Sequence, residues 1–376
     1  MKIAILSHPL MYNYGGLLQS YALQTILERH GHECEVIQKI PTNPYPFYLM
    51  PFSYAKRLLM KFTKKSNHPI FAERIFAREH PIVGQHTQKF IDTHIHTRAV
   101  KKLDEINETD YDGIVVGSDQ VWRETYFRHF WNSPISYAFL SFTKGWNIKR
   151  IAYAASFGLD NIDEYKSSEL TKCREAIKMF DKVSVRESTG VNICNTYLQS
   201  NAVMALDPTL LLNREDYEKL AVDAKEPKSP GNLLCYILDP TPYKTACINH
   251  IAENKRLIPF SVIADSGNRS LPPEKRVHPS VESWIRGFMD AEFVITDSFH
   301  ACVFSIIFGV PFIAVGNAFR GLTRFESLLD QFDLRNRLVT NNSPIDFDLG
   351  TPNWTQIYNN LEKLRTKSIE TLKVLT

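Results

Sequence analysis

The feature that most constrains this chain is a repeated alternation of short apolar runs with longer stretches patterned at helical spacing. Lys2–Leu6 is an apolar run too short for a helix, and it reads as a buried strand. The turn Asn13-Tyr14-Gly15-Gly16 comes next. From 17 to 30, apolar residues such as Leu17, Tyr21 and Leu27 recur with a helix period. Gly31 stands where a helix would stop, and Val36-Ile37 is a second strand. Further strands are expected at Gly113–Val116, 151–154, 183–185 and 203–205. The rhythm restarts after Asp207-Pro208, with strands at 233–238, 260–263, Phe293–Thr296 and Phe312–Val315 and helices near 241–253, 280–289 and 298–308. Strands alternating with helices imply parallel sheets covered on both faces. The expected fold is therefore α/β: two Rossmann-like doubly wound domains, 1–205 and 206–345, facing a cleft, with a helical tail at 346–376. Segment 206–212 is the expected crossing between them, and ligands belong at the carboxyl ends of the strands.

A length of 376 residues suits two such domains. The net charge of +3 is too small to argue for nucleic acid as a partner. Six scattered cysteines without a CxxC pair read as reduced structural thiols, with neither a disulfide framework nor a metal site. No apolar run approaches a membrane span. The N-terminus reads as a strand and not as a signal peptide, so a cytoplasmic protein is expected.

One segment breaks the pattern. Residues 41–72 hold no Asp or Glu, but carry Lys56, Arg57, Lys61, Lys64 and Lys65 among Tyr45, Phe47, Tyr48, Phe52, Tyr54 and Phe62. Either this is a solvated basic helix with its aromatics turned inward, or it docks on an anionic membrane surface.

Five motifs can carry chemistry. In Asn13-Tyr14-Gly15-Gly16 two glycines permit close backbone approach to a ligand at a helix N-terminus; a turn required only by packing would look the same. The dinucleotide fingerprint GxGxxG is absent there, which argues against a nicotinamide or flavin cofactor. Gly117-Ser118-Asp119-Gln120-Val121-Trp122 follows a strand, and its polar groups and indole suit a sugar; alternatively Asp119 caps a helix and Trp122 is core. Arg186, after the strand 183–185, can clamp a carboxylate or phosphate with two parallel hydrogen bonds, or can belong with Glu187 to the surface. Thr296-Asp297-Ser298-Phe299-His300 ends a strand and opens a helix with Asp297 or Ser298 as its cap. His300 then lies in the first turn, as a structural histidine or a proton carrier near neutral pH. Asn317, Arg320 and Arg324 follow the last strand and either add to the cleft or face water.

In order and spacing, NYGGLLQSYALQ, YDGIVVGSDQVW, YAASFG, VSVRE, LDPTLLL and DAEFVITDSFHACVFSIIFGVPFI resemble the polysaccharide pyruvyl transferase family, up to about Glu326. The resemblance implies a glycosyltransferase-B-like fold, phosphoenolpyruvate as donor with no further cofactor, and a pair of sugar hydroxyls as acceptor. The acceptor could be free or carried on a polyprenyl diphosphate at the inner face of the membrane. It implies a general acid or base at His300 and a donor clamp at Arg186, with Ser298, Asn317 and Arg320 beside them. Asp119 is a candidate base. The acceptor would lie on Asn13, Tyr14, Gly15, Gly16, Asp119, Gln120 and Trp122. Ala301 stands where the family motif commonly has Gly, which narrows the space beside His300. A nucleotide-sugar glycosyltransferase, or a saccharide-binding member without activity, are the alternatives on the same fold.

Overall fold

The computed structural model describes residues 1–40, 50–63, 69–265, 268–316, 322–340, 343–345 and 349–375. Twelve strands among them form two wholly parallel sheets. The first contains β1 (Lys2–Leu6), β2 (Glu33–Lys39), β3 (Thr97–Val100), β4 (Gly113–Val116), β5 (Lys149–Ala155), β6 (Lys182–Val185) and β7 (Val203–Met204), in the order β3-β2-β1-β4-β5-β6-β7. The second contains β8 (Leu233–Tyr236), β9 (Pro259–Phe260), β10 (Phe293–Thr296), β11 (Phe312–Val315) and β12 (Leu338–Val339), in the order β12-β11-β10-β8-β9. These are the two Rossmann-like sheets expected from the alternation. β4, β8, β10 and β11 are buried along their whole length, as strands covered on both faces must be.

In each sheet the winding reverses at one place, between β1 and β4 and between β8 and β10. At such a reversal the connecting helices leave to opposite faces, so a crevice opens beyond the strand ends. Ser7 and His8, Ser118 and Asp119, Leu238, and Asp297 and Ser298 all lie just past those four strands. The sequence thus delivers its polar motifs to two facing crevices.

The inner helices Tyr14–Arg29 and Phe299–Phe308 share one apolar core, which joins the two sheets. The helix Phe299–Phe308 buries every residue, because it is sandwiched between both halves. The helix Trp354–Ile369 closes the structure. It returns to the crossing segment, where Arg365 donates to the carbonyls of Leu210 and Leu212, and Ser368 accepts from the amide of Leu206.

Several elements differ from the expectations. The first helix starts at Tyr14, not at 17, so Gly15 and Gly16 belong to its first turn. Gly31 has a left-handed φ of 84° just beyond that helix, as a C-terminal stop requires. Strands 233–238 and 260–263 shorten to β8 and β9, and β3 and β12 are additional edge strands. The basic segment yields the helix Met50–Phe62, followed by Ala72–Val83 and Gln85–His94. Tyr45, Phe47, Tyr48, Lys64 and Lys65 lie outside the described residues.

Candidate active site

The core of the site is a buried ionic cluster. Arg186, directly after β6, is 3% exposed. Its Nη1 donates to Oδ2 of Asp207 at 2.7 Å and approaches Oγ of Ser118 at 3.4 Å. Its Nη2 stands 3.7 Å from Asp119, and its guanidinium lies 4.4 Å from the ring centroid of Phe299. Glu187 takes the Ser156 hydroxyl and the Phe157 amide at 2.9 and 2.8 Å on Oε1, while its Oε2 stands 4.0 Å from Nε of Arg186. A surface role for Arg186 and Glu187 is thereby corrected, since both are buried.

His300 meets the same cluster from the second sheet. Its Nε2 is 3.5 Å from Oδ2 of Asp207, long for a hydrogen bond. Asp207 also accepts from the hydroxyl and amide of Thr209, at 2.7 and 3.1 Å. One carboxylate therefore serves Arg186 and His300 together. Burial alone would raise the Asp207 pKa, but the charges of His300 and Arg186 and the bonds it accepts hold it well below the usual carboxylate range. Asp119 is likewise held low: burial is outweighed by Arg186, His8, His300 and Arg324. It sits at a left-handed φ of 62°, a conformation uncommon outside glycine. It caps no helix; Asn13 approaches it at 3.5 Å.

The opposite edge of His300 lies against the first helix. A Cβ placed on Gly15 would fall 2.0 Å from Nδ1 of His300. This glycine is needed so that one helix N-terminus can approach another, the packing alternative for the Asn-Tyr-Gly-Gly turn. Asp297 does not cap its helix; Ser298 holds the N-cap position. Instead Asp297 accepts the amides of Leu238 and Asp239 at 2.6 and 2.9 Å and pairs with the buried Lys244 at 2.6 Å. That pair ties the loop after β8 to the loop after β10.

Two cavities meet at His300. The first, of about 350 Å³, is lined by Ser7, His8, Asn13, Gly16, Asp119, Gln120, Ser298 and Arg324, among others. Arg324 is 8% exposed, and burial together with neighbouring Arg186 brings its pKa down to about 10, so it is still charged at neutral pH. Burial lowers the pKa of His8, against the pull of Asp119. The second cavity, of about 850 Å³, lies beyond β8 and β9 and is lined by Tyr12, Tyr14, Gly15, Tyr236, Asp265, His278 and Trp284, among others. Tyr12 stacks on His278 with ring centroids 4.6 Å apart at its rim. Asn13, Ser298 and His300 border both cavities.

The residues singled out in the sequence are thus partly united. Asn13, Gly16, Asp119, Gln120, Ser298 and His300 converge on the first cavity, with Arg186 beneath it; Tyr14 and Gly15 line the second. Trp122 does not reach either. It is fully buried, stacks on Phe139 at 4.5 Å and donates to the carbonyl of Ala138, so its face is closed to a sugar. Asn317 and Arg320 lie outside the described residues. Asp207 and His8 were not singled out as site residues. The signal for each was its position, a polar residue just past a strand.

Facing Rossmann-like sheets with a polar, histidine-centred cleft at their switch points define an α/β protein built of two Rossmann-like halves. The sequence profile of the polysaccharide pyruvyl transferases matches residues 13–318, and the chain belongs to that family, transferases of polysaccharide biosynthesis. No curated protein matches the sequence significantly. Among solved structures, the chain is similar to the UDP-GlcNAc 2-epimerase of Neisseria meningitidis bound to UDP-GlcNAc, at 10% identity and a TM-score of 0.46, over 99% of this chain and 93% of that one. It is also similar to the sucrose-phosphate synthase of Thermosynechococcus elongatus, at 11% identity and a TM-score of 0.46, over 100% and 98%.

Proposed function

We propose that the protein transfers pyruvate from phosphoenolpyruvate to two hydroxyls of a saccharide, forming a cyclic ketal and releasing phosphate. The observation that carries this reading is the shared contact of Asp207 with Arg186 and with His300, the member of the three that lines the first cavity, in a chain of this family. The smaller cavity, with Arg324 in its wall and Arg186 below, suits a compact anion carrying a carboxylate and a phosphate. The larger, aromatic-walled cavity suits a saccharide, whose ring faces pack on aromatic side chains while its hydroxyls find polar partners.

The chemistry needs one proton delivered and two removed. Protonation of the donor's methylene carbon turns its double bond into a methyl group and leaves C2 electron-poor. A sugar hydroxyl then bonds to C2 and gives up its proton. The C2–O bond to phosphate breaks, and the second hydroxyl closes the ring with loss of its proton. Of the two protons released, one replaces that delivered to carbon and the other leaves with phosphate.

His300 suits this traffic because it borders both cavities. Asp207 faces Nε2 and favours a proton there, which leaves Nδ1 as the exchanging atom. Gly15, with no side chain, lets that edge pack on the first helix between the two cavities. Asp119, held ionised, is the second candidate base, and Arg324 and Arg186 offset the charge that develops on the departing phosphate. Phosphate release from phosphoenolpyruvate, measured with and without a panel of saccharides, tests the proposal. Release that requires a saccharide supports it; no release with any of them argues against it.

A further inference from the structure

The helix Met50–Phe62 buries none of its residues, and four large apolar side chains stand out from it. Phe52 is 74% exposed, Leu58 42%, Leu59 66% and Phe62 79%. At 3.6 residues per turn these four fall in one stripe about 120° wide. Lys56 and Lys61 project on either side of that stripe, both exposed, and neither forms an ion pair with an acid among the described residues. Arg57 projects from the opposite side. It holds the helix to the protein through Glu73, at 2.5 and 2.7 Å, and through the carbonyl of Ile70 at 3.0 Å. Tyr54 adds an edge contact to Phe71. The helix is therefore anchored by its back and presents its apolar stripe outward.

We infer that this stripe docks on an anionic bilayer, lying in the interface with Phe52, Leu58, Leu59 and Phe62 in the acyl boundary and the two lysines at the headgroups. Charge decides the occupant. The whole segment 41–72 lacks Asp and Glu, so a second copy would bring lysines against lysines, whereas an anionic bilayer supplies both the apolar medium and the opposite charge. No helix among the described residues is long and apolar enough to cross a membrane, and the contact is peripheral. The helix Ala72–Val83 carries the docking face to the cleft: its His80 packs on Tyr12, 5.1 Å between centroids, at the rim of the larger cavity. Docking thus brings that rim close to the membrane, where a lipid-borne saccharide would be met. This last consequence rests on the proposed function; the docking itself does not.

The test is co-sedimentation of the full chain with phosphatidylcholine vesicles, with and without phosphatidylglycerol. Binding is expected only with the anionic lipid, weakening as salt is raised. Lys56→Gln with Lys61→Gln should weaken it about thirtyfold, roughly fivefold per lysine. Leu59→Ser with Phe62→Ser should abolish it, while activity on soluble saccharide stays unchanged in both variants. Equal sedimentation with neutral and anionic vesicles, no sedimentation, or indifference to both double variants would overturn the inference. So would a wild-type dimer that Phe62→Ser dissolves, which would assign the stripe to a second copy. Failure of the catalytic reading would leave vesicle binding intact, so the two claims fail separately.

Discussion

Gly15 and His300 come from different halves of the molecule, yet a single methyl group on Gly15 would overlap the imidazole, 2.0 Å from Nδ1. The two helix N-termini meet there, and the ring, 7% exposed, can yield only toward the two cavities it borders. Gly15→Ala is expected to fold but to displace the ring, lowering kcat about a hundredfold, as an ångström-scale misplacement does. Donor KM should change much less. Steady-state kinetics with a thermal melt check this; near-normal kcat in a folded variant would show that the contact is only packing.

Asp207 is predicted to couple stability to catalysis. Asp207→Asn removes the nearest carboxylate of Arg186 and leaves the buried cation only the longer contacts to Asp119 and Glu187, at 3.7 and 4.0 Å, at a cost of about 3 kcal/mol, the low end for breaking a buried pair. It also removes the charge facing Nε2 of His300. The Asp207 carboxyl is held well below its ordinary value of 3.8, so the stability it contributes is full above that value and is lost as pH falls through its folded pKa. The stability gap between wild type and Asp207→Asn, from urea denaturation, should therefore narrow on going from pH 7 to pH 3. A constant or widening gap would contradict the pairing.

The sheets were legible where strands are buried on both faces. Gly113–Val116, Phe293–Thr296 and Phe312–Val315 are continuous apolar runs, and each lies where the pattern puts it. Thr97–Val100 and Leu338–Val339 escaped because edge strands are short and partly exposed, so no apolar run marks them. The site was legible as strand-end motifs, but not as contacts. Nothing local tells that Asp207, which reads as part of the crossing between domains, returns beneath His300. Nor does local sequence tell that Trp122 turns inward while its neighbour Gln120 lines the cavity. Those outcomes are set by how the two halves pack together.

Arg324 is expected to act on the donor. Arg324→Gln removes a charge from the wall of the smaller cavity, and the loss of charged hydrogen bonds worth ~1.5–3 kcal/mol should raise donor KM about ten- to a hundredfold. Acceptor KM should stay within about twofold. If acceptor KM rose instead, the assignment of the two cavities would be reversed.

Trp122 offers the converse test. Trp122→Phe should lower stability by about 1–3 kcal/mol, from the cavity it leaves and the unpaired carbonyl of Ala138, with acceptor KM unchanged. A large rise in acceptor KM at unchanged stability would restore a sugar-stacking role.

The most direct test of the whole account is the mass of the product formed when phosphoenolpyruvate and a responsive saccharide are incubated with wild type and with His300→Ala. The expected product is a saccharide heavier by one pyruvate ketal, reversed by mild acid, with one phosphate released per ketal, and none from a folded His300→Ala. A saccharide heavier by a hexose taken from a nucleotide sugar, or a ketal formed equally well without His300, would contradict it.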